Sequence, residues 1–163
     1  MAGSGARVLD AGCFNGYVSF LLGRMGYRVT GANMYRTPEQ QALLAKVGAR
    51  VVTANLNDLA PVADLPAASF EAVVFGEVFE HILNHPRGLL EAFRRLLAPG
   101  GVLVLNTPNP ATLMNAIRLV RNRYTLWGTR DFIDEPKIQG EEVISRADIH
   151  YREYLSHELD HAL

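Results

Sequence analysis

A short apolar run that ends in an acid and passes at once into a glycine-containing turn constrains the fold of this chain most strongly. The run covers residues 7–10, the turn covers residues 11–16, and an apolar segment with helical spacing begins at Tyr17. Parallel α/β sheets hold nucleotide-like ligands on this order of strand, tight loop and helix, because glycines let the backbone approach and the helix N-terminus presents free N–H groups. Taken alone, the stretch is equally typical of an ordinary turn.

The rest of the chain repeats the alternation of strand and helix. We expect strands at Arg7–Asp10, Arg28–Ala32, Arg50–Thr53, Ala72–Phe75 and Val102–Asn106, and helices at Gly16–Met25, Pro38–Val47, Pro86–Leu97 and Ala111–Arg121. Thr37 and Pro38 form a good helix start, with Thr37 as the N-cap and Pro38 in the first helical position. This alternation predicts a parallel sheet that is covered by helices on both faces.

Composition excludes several classes of function. The chain has 163 residues, 48% of them hydrophobic, and a net charge of −1, so no polybasic surface for nucleic acid is expected. No apolar run approaches the roughly 20 residues that span a bilayer, and no membrane association is expected. The single cysteine, Cys13, rules out an internal disulfide and is typical of a reducing cytoplasm.

The length fits one domain over residues 1–163. Residues 1–6 read as a flexible start or a cloning remnant. Residues 122–155 lack a sustained period, and a loop of that length in a compact domain is typical of a lid or substrate cover. Ser156 is typical of an N-cap that opens one more helix before the chain ends at Leu163.

Three ordered blocks of this sequence resemble the class I S-adenosylmethionine-dependent methyltransferases. They are VLDAGCFNG (8–16), FEAVVFGEVFEH (70–81) and LLAPGGVLVLNTPN (96–109). The likeness is strongest to the branch of ubiquinone-type O-methyltransferases and surface-glycan methyltransferases. It implies a Rossmann-like three-layer α/β/α sandwich with a mostly parallel sheet, in which the C-terminal strands of the family are missing.

The resemblance implies that the first block holds the methionine part of S-adenosylmethionine. Asp10 matches the acid that orders the loop, and Gly12 and Gly16 match its first and last glycines. Phe14 departs from the pattern, since the family has a glycine there and a phenyl ring could crowd the ligand. Cys13, in the same loop, is either a reactive thiol or a small buried residue.

The resemblance also implies that the ends of the second and third strands hold the adenosine. Asn33 stands where the family has an acid for both ribose hydroxyls, and Met34 follows beside the adenosine. Asn55 replaces an acid near the adenine amine, and Leu56 supplies an apolar wall. A neutral amide offers one acceptor oxygen and an NH₂ group, so restoring the acid by Asn33→Asp is expected to tighten binding in a working site.

The fourth-strand block is expected to carry the chemistry. Gly76 and Glu77 would contact the methionine end, and Glu77, Glu80 and His81 would share one face of a helical turn at i, i+3 and i+4. In one interpretation His81 is the general base, supported by Glu80 and His150. In another, Glu77, Glu80 and His81 bind a divalent cation, with His150 as a further ligand. A polar cluster without either role is the third.

The sequence therefore predicts a cytoplasmic methyltransferase that uses S-adenosylmethionine and acts on a small molecule or a glycan, mainly at oxygen. The alternative is a catalytically silent module that keeps the fold for binding or assembly. A nicotinamide dehydrogenase is disfavoured because its glycine pattern differs. A homodimer or a partner chain is expected to cover the exposed edge of the sheet.

Overall fold

The computed structural model describes residues 5–123, 138–139, 142–143 and 150–163. The chain forms two compact units. The first unit comprises Met1–Gly76 and Asn84–Asn106, and the second comprises Glu77–Leu83 and Thr107–Leu163. The single domain over 1–163 stays a prediction. The lid predicted over 122–155 lies largely outside the described residues, as do the first four residues of the predicted flexible start.

The first unit is built on a five-stranded parallel sheet with the strand order β3-β2-β1-β4-β5. The strands are β1 (Arg7–Ala11), β2 (Arg28–Asn33), β3 (Arg50–Thr53), β4 (Phe70–Gly76) and β5 (Leu97–Asn106). The chain places β2 and β3 on one side of β1 and then β4 and β5 on the other. This reversal makes a topological switch point between β1 and β4, where open α/β sheets bind ligands at the carboxyl ends of the strands.

Helices cover this sheet. They are α1 (Tyr17–Arg24), α2 (Pro38–Ala45), the single turn α3 (Ala60–Ala63) and α4 (Pro86–Leu96). The first of these packs on β2, the second on β3 and the fourth on β5. The predicted start of α2 is confirmed, because the Thr37 side chain accepts a hydrogen bond from the Gln40 N–H and Pro38 takes the first helical position.

The core of the first unit lies between the sheet and α4. Phe75 on β4 and Phe93 on α4 are both fully buried and meet edge to face, with ring centroids 5.0 Å apart. Leu9 and Val73 from neighbouring strands are buried beside them in the sheet. Since β1 contains the apolar pair at residues 8–9 and β4 the apolar run at residues 72–75, this burial is what their sequences predict.

The second unit is smaller. It contains a 3-10 turn (Phe79–His81), α5 (Leu113–Val120), a short antiparallel pair β6 (Ile138–Gln139) and β7 (Glu142–Val143), and α6 (Ser156–Ala162). Phe79 stacks on Tyr154 with the ring centroids 4.6 Å apart, which anchors the 3-10 turn. Across the described ranges, no helix is long and apolar enough to cross a membrane.

The predicted α/β Rossmann-like class with a parallel sheet is confirmed. Two of the boundaries that differ from expectation have a local cause. The fifth strand begins at Leu97 rather than Val102, with a register shift opposite Phe70 and Ala72 that accommodates the Pro-Gly-Gly turn. The last helix is capped at Leu155, so Ser156 is its first residue rather than its cap.

Candidate active site

Asp10 lies near the carboxyl end of β1 and is 4% exposed. The Ser19 hydroxyl, from α1, donates a hydrogen bond of 2.6 Å to Oδ2 of Asp10. Burial raises the pKa of Asp10 above its ordinary value, and the hydroxyl and backbone hydrogen bonds of Ser19 oppose that rise. The residue predicted to order the loop is therefore a buried acid that is tied to the helix following the loop.

The loop after β1 is shaped by two glycines with positive φ. Gly12 has a φ of 85° and Gly16 a φ of 83°, a region that residues with a Cβ avoid. The N–H groups of Gly12 and Cys13 both donate to the Ala32 carbonyl, which ties the loop to β2. A Cβ at Gly16 would come within 3.2 Å of Leu44, so a glycine is needed there for close approach as well as for φ.

Phe14, the departure from the family pattern, has a φ of 42° and a ring that is 74% exposed. A phenylalanine in the left-handed region is uncommon and needs support from its surroundings. The support comes from side chains, because the Phe14 carbonyl accepts hydrogen bonds from the amides of Asn33 and Gln40. The role predicted for Phe14 in cofactor binding stays a prediction.

The two amides predicted to face the adenosine make different contacts. Asn33 donates from Nδ2 to the carbonyls of Phe14 (3.2 Å) and Tyr35 (2.8 Å). Oδ1 of Asn55 accepts from the Asn57 N–H at 3.0 Å, which makes a turn immediately after β3. In both side chains, one polar atom is thus already hydrogen-bonded to the backbone nearby.

The apolar residues next to these amides divide by burial. Leu56 is buried in the first unit, whereas Met34 is half-buried at the end of β2. Their roles beside the adenosine stay predictions, and core packing accounts for Leu56 on its own.

Cys13 is buried in the loop, and burial, reinforced by the charge of Asp10, raises the pKa of its thiol to about 12. Since the thiolate is the nucleophilic form, this thiol is unreactive at neutral pH. A Cβ at Gly31 would lie 2.7 Å from its sulfur, so Cys13 packs tightly against β2. The geometry favours the small buried residue over the reactive thiol.

Gly76 ends β4 at a point where a side chain would have to displace the amide of Asn106. A Cβ there would lie 2.6 Å from Oδ1 of Asn106, on the neighbouring strand β5. Glu77 follows with a φ of 54°, and the 3-10 turn begins only at Phe79. The helical face predicted for Glu77, Glu80 and His81 is therefore wrong, because Glu77 lies outside the turn.

Glu80, in the second unit, is 1% exposed and lies between two histidines. Its Oε1 is 3.8 Å from Nε2 of His81 and 3.9 Å from Nε2 of His150. Its Oε2 accepts a hydrogen bond of 2.8 Å from the Thr107 hydroxyl. Among the described residues, no hydrogen-bond donor reaches the buried Oε1.

The segment that carries His150 is fixed to the same turn by its backbone. The N–H groups of Tyr151 and Arg152 donate to the Glu80 carbonyl at 2.9 and 3.4 Å. Nδ1 of His150 is 3.2 Å from the Glu153 carboxylate, and the rings of His81 and His150 meet edge to face at 5.0 Å. Two segments that are far apart in sequence are therefore brought together around one carboxylate.

This arrangement is chemically suited to hold a cation. One ligand atom from each of Glu80, His81 and His150 lies within 4.8 Å of the other two. Two imidazoles and a carboxylate are the ligands of catalytic zinc sites, which leave a further position for water or substrate. A buried carboxylate oxygen without a donor is unfavourable unless a positive group meets it, and a bound cation would meet it. The same trio can also hold a proton.

Three residues support these clusters without being predicted. The hydroxyls of Ser19 and Thr107 each donate a hydrogen bond to a buried acid, and the Gln40 amide donates one to the Phe14 carbonyl. No spacing in the sequence connects Thr107 to Glu80 or Gln40 to Phe14, since these pairs are 27 and 26 residues apart. Ser19 is the exception, because its position in the first turn of α1 places it near the end of β1.

Comparisons with known proteins agree on one family. A family model described as "Methyltransferase domain" matches residues 2–157. A ubiquinone biosynthesis O-methyltransferase of Xanthomonas oryzae pv. oryzae is 34% identical over 122 residues, which are 74% of this chain and 51% of that protein. The chain therefore spans about half the length of the curated relatives it matches.

Solved structures share the fold. An S-adenosylmethionine dependent methyltransferase from Mesorhizobium loti matches with a TM-score of 0.56 at 22% identity. The match covers 68% of this chain and 50% of the Mesorhizobium chain. A 1,6-didemethyltoxoflavin-N1-methyltransferase from Burkholderia thailandensis, solved with 1,6-didemethyltoxoflavin and S-adenosylhomocysteine, has a TM-score of 0.55 at 25% identity. That match covers 63% of this chain and 45% of the Burkholderia enzyme.

Proposed function

Because the chain belongs to the methyltransferase domain family, we propose that it transfers the methyl group of S-adenosylmethionine to an oxygen of a small-molecule or glycan acceptor. The observation that carries the proposal is the loop between β1 and α1. It lies at the switch point of a parallel sheet, with a buried acid before it and two positive-φ glycines within it. Such loops accept a nucleotide-like ligand at a helix N-terminus.

In this proposal the first unit holds the cofactor. Asp10, Gly12, Cys13, Phe14 and Gly16 form the loop beside the methionine part. The adenosine and the remaining methionine contacts are assigned to Asn33, Met34, Asn55, Leu56 and Gly76. The contact predicted for Glu77, which belongs to the second unit, stays a prediction. The NH₂ of Asn33 is occupied by two carbonyls, so its Oδ1 is the atom available to accept from a ribose hydroxyl. This removes the objection that an amide at this position presents an unwanted donor to the ribose.

The second unit supplies the chemistry on the acceptor. Methyl transfer from a sulfonium is an in-line displacement, so the protein chiefly aligns the reactants and takes the proton from the acceptor hydroxyl. We assign Glu80, His81 and His150 to this task. Oε1 of Glu80, which meets no donor in the part of the chain that the structure describes, favours a divalent cation over a bare base. When bound, such a cation lowers the pKa of an acceptor hydroxyl that coordinates it.

The acceptor class is proposed from the relatives. The Xanthomonas relative is named for O-methylation in ubiquinone biosynthesis, and the Burkholderia enzyme holds a small heterocycle. A small-molecule acceptor fits both names, and the Xanthomonas name together with the Glu80 cluster favours an ionisable hydroxyl, whereas the Burkholderia enzyme is named for methylation at nitrogen. A cytoplasmic location, and a homodimer or partner chain that covers the edge strand β5, belong to the same proposal. Sedimentation of the purified chain tests the homodimer directly.

Calorimetry with S-adenosylhomocysteine tests the first part of the proposal. The wild-type chain is expected to bind with a dissociation constant in the micromolar range. The matched comparison is adenosine alone, which lacks the amino-acid tail that the glycine loop is assigned to hold, and it is expected to bind more weakly. Absence of detectable heat with either ligand favours the catalytically silent module instead.

Metal exchange tests the second part. After treatment with a chelator, zinc, manganese and magnesium are added singly, and the midpoint of thermal unfolding is followed. A cation that binds the native state alone raises this midpoint, by an amount that grows with the ratio of its concentration to its dissociation constant. If none of the three raises it, the metal assignment fails, and the trio is either a base without metal or a polar cluster without either role. A methyl-transfer assay would then show a rate that is insensitive to the chelator.

A further inference from the structure

The loop that is assigned to the cofactor is held by two side-chain amides that meet at a single carbonyl. Asn33, at the end of β2, donates to the Phe14 carbonyl at 3.2 Å, and Gln40, in the first turn of α2, donates to the same oxygen. Phe14 is the loop residue with a φ of 42°, a conformation that a side chain with a Cβ disfavours. We propose that Asn33 and Gln40 are positioning residues, which hold the loop in its ligand-binding shape through the Phe14 carbonyl.

The orientation of the Asn33 amide follows from its neighbours. Both atoms that its outer end faces, the carbonyl oxygens of Phe14 and Tyr35, are acceptors. Only an NH₂ group can satisfy two acceptors, so the oxygen must lie on the other side of the amide. The amide therefore does two things at once, since it grips the loop with its nitrogen and leaves its oxygen for a ligand.

An acid in this position could not grip the loop. A carboxylate has no hydrogen to donate at neutral pH, and it would face the two carbonyl oxygens of Phe14 and Tyr35 with a negative charge. In this chain the acid of the family pattern is thus incompatible with Phe14 in its observed conformation. The expectation that Asn33→Asp tightens binding is reversed by this geometry.

Gln40 is placed for the same task by the start of α2. Its backbone N–H is capped by the Thr37 side chain, and the residue is only 2% exposed. Its Nε2 also lies 3.6 Å from the Cys13 sulfur, so it spans two consecutive loop residues. Its Oε1 is buried and meets no donor among the described residues. A buried amide whose oxygen has no donor is unfavourable for stability, and the hydrogen bond from its nitrogen to the loop accounts for its presence.

This inference rests on the proposed cofactor site, and one set of calorimetric titrations with S-adenosylhomocysteine tests it. Gln40→Met keeps the length of the side chain and removes its donor, and it is expected to raise the dissociation constant about tenfold. The neighbouring exposed residue offers the matched control, Gln41→Met, which should stay within about twofold of wild type. Asn33→Asp should also raise the constant about tenfold.

A second background shows whether the amides act through Phe14. Glycine reaches a φ of 42° without steric penalty, so Phe14→Gly lowers the need for the grip. In that background Gln40→Met should raise the dissociation constant by less than about threefold. A purely structural role for Gln40 would give the same loss in both backgrounds. The unfolding midpoint of each variant is measured alongside.

The outcomes separate this inference from the proposed function. Wild type that fails to bind S-adenosylhomocysteine overturns both. Wild type that binds, with Gln40→Met equal to Gln41→Met, or with equal losses in both backgrounds, overturns the gripping role alone. Tighter binding by Asn33→Asp overturns it too. If Gln40→Met does not fold, the titration of Asn33→Asp still tests the inference, because Asn33 is half-buried and its substitution removes no core packing.

Discussion

Asp10 and Glu80 are both buried carboxylates that accept a hydrogen bond from a hydroxyl group, yet their surroundings suit them to different tasks. Asp10 receives the hydroxyl of Ser19 and Glu80 receives that of Thr107, at 2.6 and 2.8 Å. Asp10 has a second hydrogen bond from the Ser19 backbone, whereas Oε1 of Glu80 meets no donor among the described residues and has an imidazole nitrogen on either side. One carboxylate shapes a loop, and the other is left open for a positive group.

The difference shows that burial alone does not identify a reactive acid. Burial raises the pKa of Asp10, and its partners all belong to one strand–loop–helix segment of the first unit. The partners of Glu80 come from three separate segments of the second unit. A carboxylate whose partners come from distant segments is typical of a functional site, because no local requirement of the backbone explains why these partners are brought together.

Substitution of Glu80 is expected to have the largest effect on this comparison. Glu80→Gln removes the only charged oxygen in the trio, so the affinity for zinc is expected to fall on the order of 100-fold. Competition with a chromophoric chelator measures the affinity. The exposed acid on α4, changed by Glu91→Gln, serves as the control and should leave zinc binding as it is. Equal affinity of Glu80→Gln and wild type would remove the metal assignment.

Removing each hydroxyl donor sharpens the comparison. Thr107→Val removes the hydroxyl that donates to Glu80 and should lower the free energy of unfolding at pH 7 by about 2 kcal/mol. Ser19→Ala should lower it by about 1 kcal/mol, because the Ser19 N–H still bonds to Asp10. Denaturant titration measures both. A larger loss for Ser19→Ala would show that Asp10 depends on its hydroxyl more than Glu80 does.

Asp10→Asn separates function from stability. It should weaken binding of S-adenosylhomocysteine about tenfold. The same change should raise the unfolding midpoint at pH 7. An acid with a raised folded pKa stabilises the fold below its ordinary value of 3.8 and loses that contribution as the pH rises through the raised pKa. The advantage of the variant should therefore shrink as the pH is lowered toward 3.8.

A third carboxylate, at the surface, gives the smallest expected effect. Glu71 pairs with Arg7 at 2.5 Å, and this partner lowers the pKa of Glu71 to about 2. A lowered folded pKa stabilises the fold above the ordinary value of 4.5, and this contribution is lost as the pH falls toward 2. Glu71→Gln should lower the unfolding midpoint slightly at pH 7, since exposed pairs contribute little. A midpoint difference that persists at pH 2 would contradict this assignment.

The sequence was most informative where the signal is local. The cap at Thr37 and the proline after it predicted the start of α2 correctly, because a cap depends on residues three positions apart. The same approach was wrong at Glu77, where regular helical spacing was assumed and the backbone instead adopts a φ of 54°. It was one residue out at Ser156, since the Leu155 backbone takes the cap position.

Contacts between distant segments could not be predicted in this way. His150 was expected to be a further ligand only through a family resemblance, and Thr107 and Gln40 were not expected at all. Each depends on the fold bringing together residues that are 26 or more positions apart. Such contacts carry no periodic signal, because the hydrophobic pattern reports burial and not the partner.

Three sequence blocks were enough to indicate the family of the chain, and apolar runs with the turns between them were enough to predict its parallel strands and covering helices. Those features follow from short-range backbone preferences and from the need to bury both faces of each strand. Which buried carboxylate oxygen meets no donor among the described residues, and which amides bind the Phe14 carbonyl, was decided only by the folded chain. Hydrogen bonding at a buried group depends on every neighbour in space, and most of those neighbours are remote in sequence.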